Sequence, residues 1–213
     1  MKVDLNPNNV IEFLKAELKS ENSFIPETAN IPLKLSKGIY FWFMKPEGYK
    51  ALSSYIEVIP LENSFSILID DLSYDLVYLG TAGTGKNGRS NLTERLSWHI
   101  GQKHSSAAII SGTISTFRKG LGSLLSNDLI EGNTEFLVNE FMKDYLKVFY
   151  VEYSLNINQI YNDEIILLKS LKPILNLNHN PNALKSSIDN TTLRYKDRRQ
   201  KVDKSTIFRL KNN

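Results

Sequence analysis

The stretch from Asp75 to His99 constrains the fold more than any other part of the chain. Asp75-Leu76-Val77-Tyr78-Leu79-Gly80 has the composition of a short buried strand. A loop with glycines at 83, 85 and 88 follows, and a helix is expected from about Ser90, carrying Arg95 and His99. Strand, glycine-rich loop and helix in that order form the context of a nucleotide phosphate loop. Gly80 and Gly85-Lys86 even fall at the G-x-x-x-x-G-K spacing. The next position is Asn87, which lacks the Ser or Thr hydroxyl that would hold Mg²⁺. No apolar strand ending in Asp supplies the second carboxylate of such a site. The same residues admit another reading, in which Tyr78-Leu79-Gly80 is one half of a pair whose partner is Gly38-Ile39-Tyr40.

At 213 residues and 24.3 kDa the chain is long enough for one domain with appendages. The absence of cysteine excludes disulfides, cysteine-based zinc sites and cysteine nucleophiles. Three histidines, His99, His104 and His179, leave little material for a multi-histidine metal centre. No apolar run approaches the roughly 18 residues of a membrane helix, and Met1–Pro7 has no signal-peptide core. A cytoplasmic protein is expected.

Charge is unevenly spread. From Ala183 to Asn213 there are nine basic residues, among them Arg194, Arg198 and Arg199, against three acidic ones. The rest of the chain is mildly acidic. A basic terminal tail suits a polyanion partner, or is simply a solvated segment.

The remaining pattern predicts an α+β fold: a small central, mainly antiparallel sheet flanked by helices, with an N-terminal helix and the basic tail. Val10, Ile11, Leu14 and Leu18 share one helical face after Asn6-Pro7, so residues 1–30 read as a helical extension. Gly38–Met44 is a strong strand signal, ended by Pro46-Glu47-Gly48. Between Tyr49 and Asp71 two further strands are candidates, Ser54–Ile59 and Phe65–Ile69. Helices are expected within Ser111–Leu125 and over Thr134–Asp144, and a strand over Leu146–Ser154. A last helix from Ile157 stops at Pro173, and Ile174–Asn178 is extended. The main domain spans 31–182 and the tail 183–213.

These landmarks together resemble the GIY-YIG endonuclease superfamily, and within it a compact type II restriction endonuclease. The first motif stands as Gly38-Ile39-Tyr40 and the second as Tyr78-Leu79-Gly80, with its middle residue conservatively changed. Arg95 matches the family arginine on the following helix, and His99 the histidine one turn later. Glu164 matches the glutamate of a late helix, and Pro173–Asn176 the closing segment. The resemblance covers about residues 36–180, with an insert between the first two motifs longer than the minimal domain has.

Helical geometry adds to the match. At ~100° per residue, Ile157, Ile160, Tyr161, Ile165, Leu168 and Leu171 form a stripe, with Glu164 about 20° from its centre. A carboxylate there needs compensation: a metal, a catalytic role or a structural ion pair. Arg95 and His99 are four apart and share a face with Leu92 and Leu96.

The resemblance implies phosphodiester hydrolysis, with Glu164 holding Mg²⁺ or Mn²⁺ and Arg95 pairing with the phosphate. Tyr40 would orient or deprotonate the attacking water, Tyr78 and His99 would hydrogen-bond around it, and Asn176 would brace the tyrosine or the glutamate. Lys86 and the tail arginines Arg194, Arg198 and Arg199 would contact the DNA backbone. The expected partner is double-stranded DNA, met by a homodimer if both strands of a symmetric site are cut. A non-catalytic DNA-binding protein of the same fold and a P-loop nucleotide hydrolase are the alternatives.

Overall fold

The computed structural model describes residues 5, 8–18, 23–61, 64–84, 90–131, 133–153, 157–177 and 189–213. Five antiparallel strands form one sheet in the order β1-β5-β2-β4-β3. They are β1 (Ser23–Phe24), β2 (Lys37–Met44), β3 (Ser66–Ile69), β4 (Leu72–Ala82) and β5 (Leu146–Tyr153). Among the described residues eight α-helices accompany them: α1 (Val10–Glu17), α2 (Glu47–Leu52), α3 (Leu92–Gly101), α4 (Ser106–Ser111), α5 (Thr116–Leu125), α6 (Thr134–Tyr145), α7 (Ile157–Leu171) and α8 (Asp189–Asn212). The α+β architecture is the one the sequence predicts.

β2 is the central strand, and its seven residues from Gly38 to Met44 are buried. Alternation sends Tyr40, Trp42 and Met44 to one face, under α2, α3, α5, α6 and α8. Ile39, Phe41 and Phe43 go to the other face, under α1 and α7. A run this apolar is what a strand covered on both faces requires.

Two local devices set the geometry of β4. Asp70 and Asp71 both have positive φ, 51° and 64°, and join Ile69 to its partner Leu72 in a two-residue hairpin turn. Higher up, the register against β2 slips: Phe43 faces Leu76, whereas Trp42 faces Tyr78. Val77 is the extra residue of a β-bulge. In an unbroken strand Leu76 and Tyr78 would share a face; the bulge turns Tyr78 onto the face of Tyr40 and Trp42.

β3 pairs with Leu72–Asp75, and among the described residues no strand lies on the outer side of the upper part of β4. The segment after α7 runs along it instead. Lys172 takes a left-handed conformation (φ 45°) before Pro173, the Leu175 N–H donates to the Val77 carbonyl, and Asn176 follows.

Three expectations change. Ser54–Ile59 forms no strand: the Ser53 hydroxyl bonds both backbone groups of Val58 and folds the segment into a loop. Pro46-Glu47-Gly48, expected only to end a strand, opens α2, since proline costs nothing in a first turn. The tail folds from Asp189 onward as α8, against α5 and α4. Tyr195 and Val202 are 2 % exposed. The Tyr195 ring fits where Gly120 has no side chain, and Lys119 pairs with Asp203 at 3.1 Å. Arg198 donates to the Ser123 and Ser126 carbonyls at the end of α5 and lies 4.1 Å from the centre of the Tyr55 ring. Arg209 pairs with Asp128 at 2.8 Å.

A tail would be dispensable for folding, whereas α8 closes a core. Tyr195→Ala is expected to cost ~3–5 kcal/mol, the range for large aromatic truncations. Removing 189–213 is expected to abolish cooperative thermal unfolding. An unchanged melting temperature after truncation would make α8 an appendage.

Candidate active site

Tyr40 and Gly80 are direct cross-strand partners. The Tyr40 ring leans over Gly80, where any Cβ would collide with its hydroxyl, Cζ and Cε2 atoms. Glycine is required here by close approach. The hydroxyl reaches α3, where it makes a 2.6 Å hydrogen bond with His99 Nε2. His99 Nδ1 is 2.6 Å from the Ser115 hydroxyl at the start of α5. Tyr78, on the same face, packs its ring on Phe117 at 4.6 Å and approaches Thr116 Oγ1 at 3.4 Å.

α3 begins with a capping box: Asn91 accepts from the Glu94 N–H, and the Glu94 carboxylate accepts from the Asn91 N–H. This fixes the helix with Leu92, Leu96 and His99 inward. Arg95 lies one turn before His99, with its guanidinium 5.3 Å from the centre of the Trp98 ring. Its charge acts on Tyr40, Tyr78, His99 and Glu164 alike. Its Nε is buried without a hydrogen-bond partner, an orphaned donor that an anion would satisfy.

Glu164 arrives from the opposite face of the sheet. The buried residues of α7 include Ile160, Asp163, Leu167, Leu168 and Leu171. The buried stripe is therefore rotated from the one expected. Tyr161 is 41 % exposed, Asp163 is the enclosed acid, and Glu164 stands half-buried at the margin. Its carboxylate accepts from Thr81 Oγ1 at 3.4 Å, and Thr81 is linked to Thr84 at 2.5 Å. Among the described residues it joins no salt bridge, so the structural ion pair considered above is not seen.

The two faces meet around the unpaired outer edge of β4. A cleft of about 250 Å³ there is lined by Tyr78, Thr84, Thr116, Glu164, Asn176 and Arg199, among others. Asn176 makes two hydrogen bonds to the backbone of β4. Its Oδ1 accepts from the Leu79 N–H at 2.9 Å, and its Nδ2 donates to the Leu79 carbonyl at 2.8 Å. One side chain thus replaces a missing neighbouring strand. Arg199 enters the cleft from the inner face of α8. Tyr40 is fully buried and stands one strand further in. Arg194 is exposed, Arg198 is engaged with α5 as described, and Lys86 lies outside the described residues.

Burial sets the protonation states. It raises Tyr40 and Tyr78 above the usual phenol value, against the opposing charge of Arg95. It depresses His99 well below 6.5, helped by Arg95 and Arg118, so the ring is neutral. Burial pushes Glu164 up to about 7, opposed by the Thr81 hydrogen bond and Arg95. A desolvated carboxylate steadied, among the described residues, by a hydroxyl and by the charge of Arg95 has the chemistry to hold a divalent ion. No cluster of three ligating side chains exists among the described residues. One carboxylate suits Mg²⁺, which keeps several waters and takes phosphate oxygens from substrate.

Residues missed in the sequence are Thr81, Thr84, Ser115, Thr116 and Arg118. Ser115 alone had a signal, as a serine opening a helix.

Glu164 gives a signed pH effect. The folded chain keeps its proton up to about pH 7, whereas an unfolded glutamate loses it near ~4.3. The stability from this group is complete below ~4 and is lost as pH rises to about 7. Glu164→Gln does not titrate. In EDTA its melting temperature is therefore expected to gain on the wild type between about pH 5 and 8. A difference constant with pH would mean an ionised, balanced carboxylate.

The family model of the GIY-YIG catalytic domain matches residues 38–201. Searches of curated proteins and of solved structures return no match. The matched span runs from Gly38 of β2 through Arg199 of α8, taking in every wall of the cleft. The chain belongs to the GIY-YIG catalytic domain family, and its domain is that of a nuclease.

Proposed function

We propose that this nuclease is a divalent-metal-dependent endonuclease of double-stranded DNA, and in biological role a type II restriction enzyme. The observation that carries the reading is the cleft at the edge of β4. There one desolvated carboxylate, Glu164, shares the lining with Arg199 and feels the charge of Arg95. Phosphodiester hydrolysis asks for this combination, because negative charge builds on the phosphate while an oxygen nucleophile attacks and the 3′ oxygen leaves.

Glu164 would hold Mg²⁺ or Mn²⁺, which when bound supplies charge neutralisation at the phosphate and the leaving oxygen. Arg95 binds a nonbridging oxygen through its unpartnered donor, and Arg199 steadies the strand from the α8 side. Tyr78 faces the cleft and orients the attacking water. Tyr40, fully buried one strand in from the cleft, would take a proton from that water once it is admitted beside the ring, its own phenol proton passing to His99 Nε2. Asn176 acts indirectly, by holding the backbone of Leu79 between Tyr78 and Gly80.

The restriction role is supported by basic elements inside the domain itself. Arg198 on Tyr55 ties the insert between the two motifs to α8, and Arg194, Lys201 and Lys204 line the exposed side of that helix. These cations give backbone contacts, and cutting both strands of a symmetric site calls for two copies meeting on DNA.

Plasmid incubated with the protein and Mg²⁺ is expected to be cut at defined positions. Glu164→Gln is expected to bind DNA with near wild-type affinity and to cut ~10³-fold more slowly or worse. A folded Glu164→Gln protein that cuts at the wild-type rate would end this assignment.

A further inference from the structure

Neutral His99 has a single lone pair on its ring, and two hydroxyls compete for it. Tyr40 lies 2.6 Å from Nε2 and Ser115 lies 2.6 Å from Nδ1. The ring can accept from one and must donate to the other. Tyr40 is 0 % exposed, and His99 is the single hydrogen-bond acceptor found near its hydroxyl among the described residues. Denied that lone pair, the phenol would carry a buried orphan donor, at a cost of ~1–3 kcal/mol. Ser115 is half-buried, so water can take its proton instead.

We infer that Ser115 holds His99 in the Nδ1–H tautomer, leaving Nε2 as the acceptor for the Tyr40 phenol. Ser115 is thus a positioning residue of the nuclease site. The valences close: Ser115 Oγ accepts from His99 Nδ1–H and from the Arg118 N–H at 3.3 Å, and its own proton is left for water. When the Tyr40 O–H bond breaks, the proton moves to Nε2. With the water's proton taken up by the phenol oxygen in the same step, the result is a neutral phenol beside an imidazolium whose two N–H groups face Tyr40 Oη and Ser115 Oγ.

The surroundings hold Ser115 to this task. It is the N-cap of α5, and its own N–H donates to Gln102 Oε1 at 2.5 Å. Arg118, fully buried, donates from Nη1 to the His99 and Ile100 carbonyls at 2.9 Å each. The end of α3 and the start of α5 are thereby locked together, with the imidazole between them. His104, on the far side of Arg118, bonds Arg118 Nε and the Leu129 carbonyl and takes no part in the chain to Tyr40.

The inference rests on the nuclease reading for its purpose, but its test does not need cleavage. Ser115→Gly removes the hydroxyl while keeping a residue that caps nearly as well as serine; Ser115→Thr keeps both. With ¹⁵N-histidine, the protein shows three imidazoles, and the ring whose signals move in Ser115→Gly is His99. The expected wild-type spectrum has a protonated Nδ1 and an unprotonated Nε2 at that ring. Ser115→Gly is expected to shift it towards mixed tautomers and to cut DNA about tenfold more slowly or worse. Its melting temperature is expected to fall by no more than about 2 °C. Ser115→Thr is expected to restore the tautomer and most of the rate. A protonated Nε2 in the wild type, or no imidazole shift in Ser115→Gly, would overturn the assignment. A wild type with the expected tautomer that cuts no DNA would instead overturn the nuclease reading.

Discussion

Tyr40 lying across Gly80 is the contact on which the site depends. It exists because β2 and β4 are held in a register that places the two residues opposite each other. The ring can cross because that position carries no side chain. The crossing directs the hydroxyl to His99 and leaves the backbone of Gly80 in place of a bulky wall. The bulge at Val77 completes the arrangement, since without it Tyr78 would belong to the opposite core. The two tripeptide motifs are thus a pair of interlocking surfaces, each explaining a residue of the other.

The unpaired edge of β4 turns this packing into a site. An edge strand with free backbone groups is ordinarily a liability. Here the Leu175 N–H and the Asn176 amide cover it as far as Leu79. Just beyond, groups from both faces of the sheet meet: Tyr78 and Arg199 from one side, Thr81 and Glu164 from the other. A candidate site at an edge lets a carboxylate and the cations stay apart in the folded protein. Glu164 then keeps its raised proton affinity, which a tight salt bridge would have removed. The cost is a carboxyl group held in an unfavourable environment, the usual mark of a group kept for function.

Much of this was legible in the sequence because it followed from short-range pattern. The apolar run of β2, the strand of β4 with a helix after it, and the four-residue spacing of Arg95 and His99 on that helix are local features that the structure shows. What was not legible depended on contacts distant in sequence. Nothing near Val77 announces a bulge, which the packing of β4 against β2 imposes. Asn176 was expected to touch side chains, and its backbone clamp follows only from where β3 stops pairing. Arg198 and Arg199 are adjacent cations with identical sequence signals. A rotation of ~100° along α8 sends one to cap α5 and the other into the cleft. The tail's charge hid the apolar spacing of Tyr195 and Val202, so a core helix read as a basic tail.

The central claim is that Tyr40 must pass over Gly80 for the site to work, and Gly80→Ala tests it with a single methyl group. The measurement is the single-turnover DNA cleavage rate of Gly80→Ala protein whose circular dichroism matches the wild type. The added methyl should force the phenol off His99, so a fall of ~100-fold or more is expected. A folded Gly80→Ala protein that cuts at the wild-type rate would contradict the account.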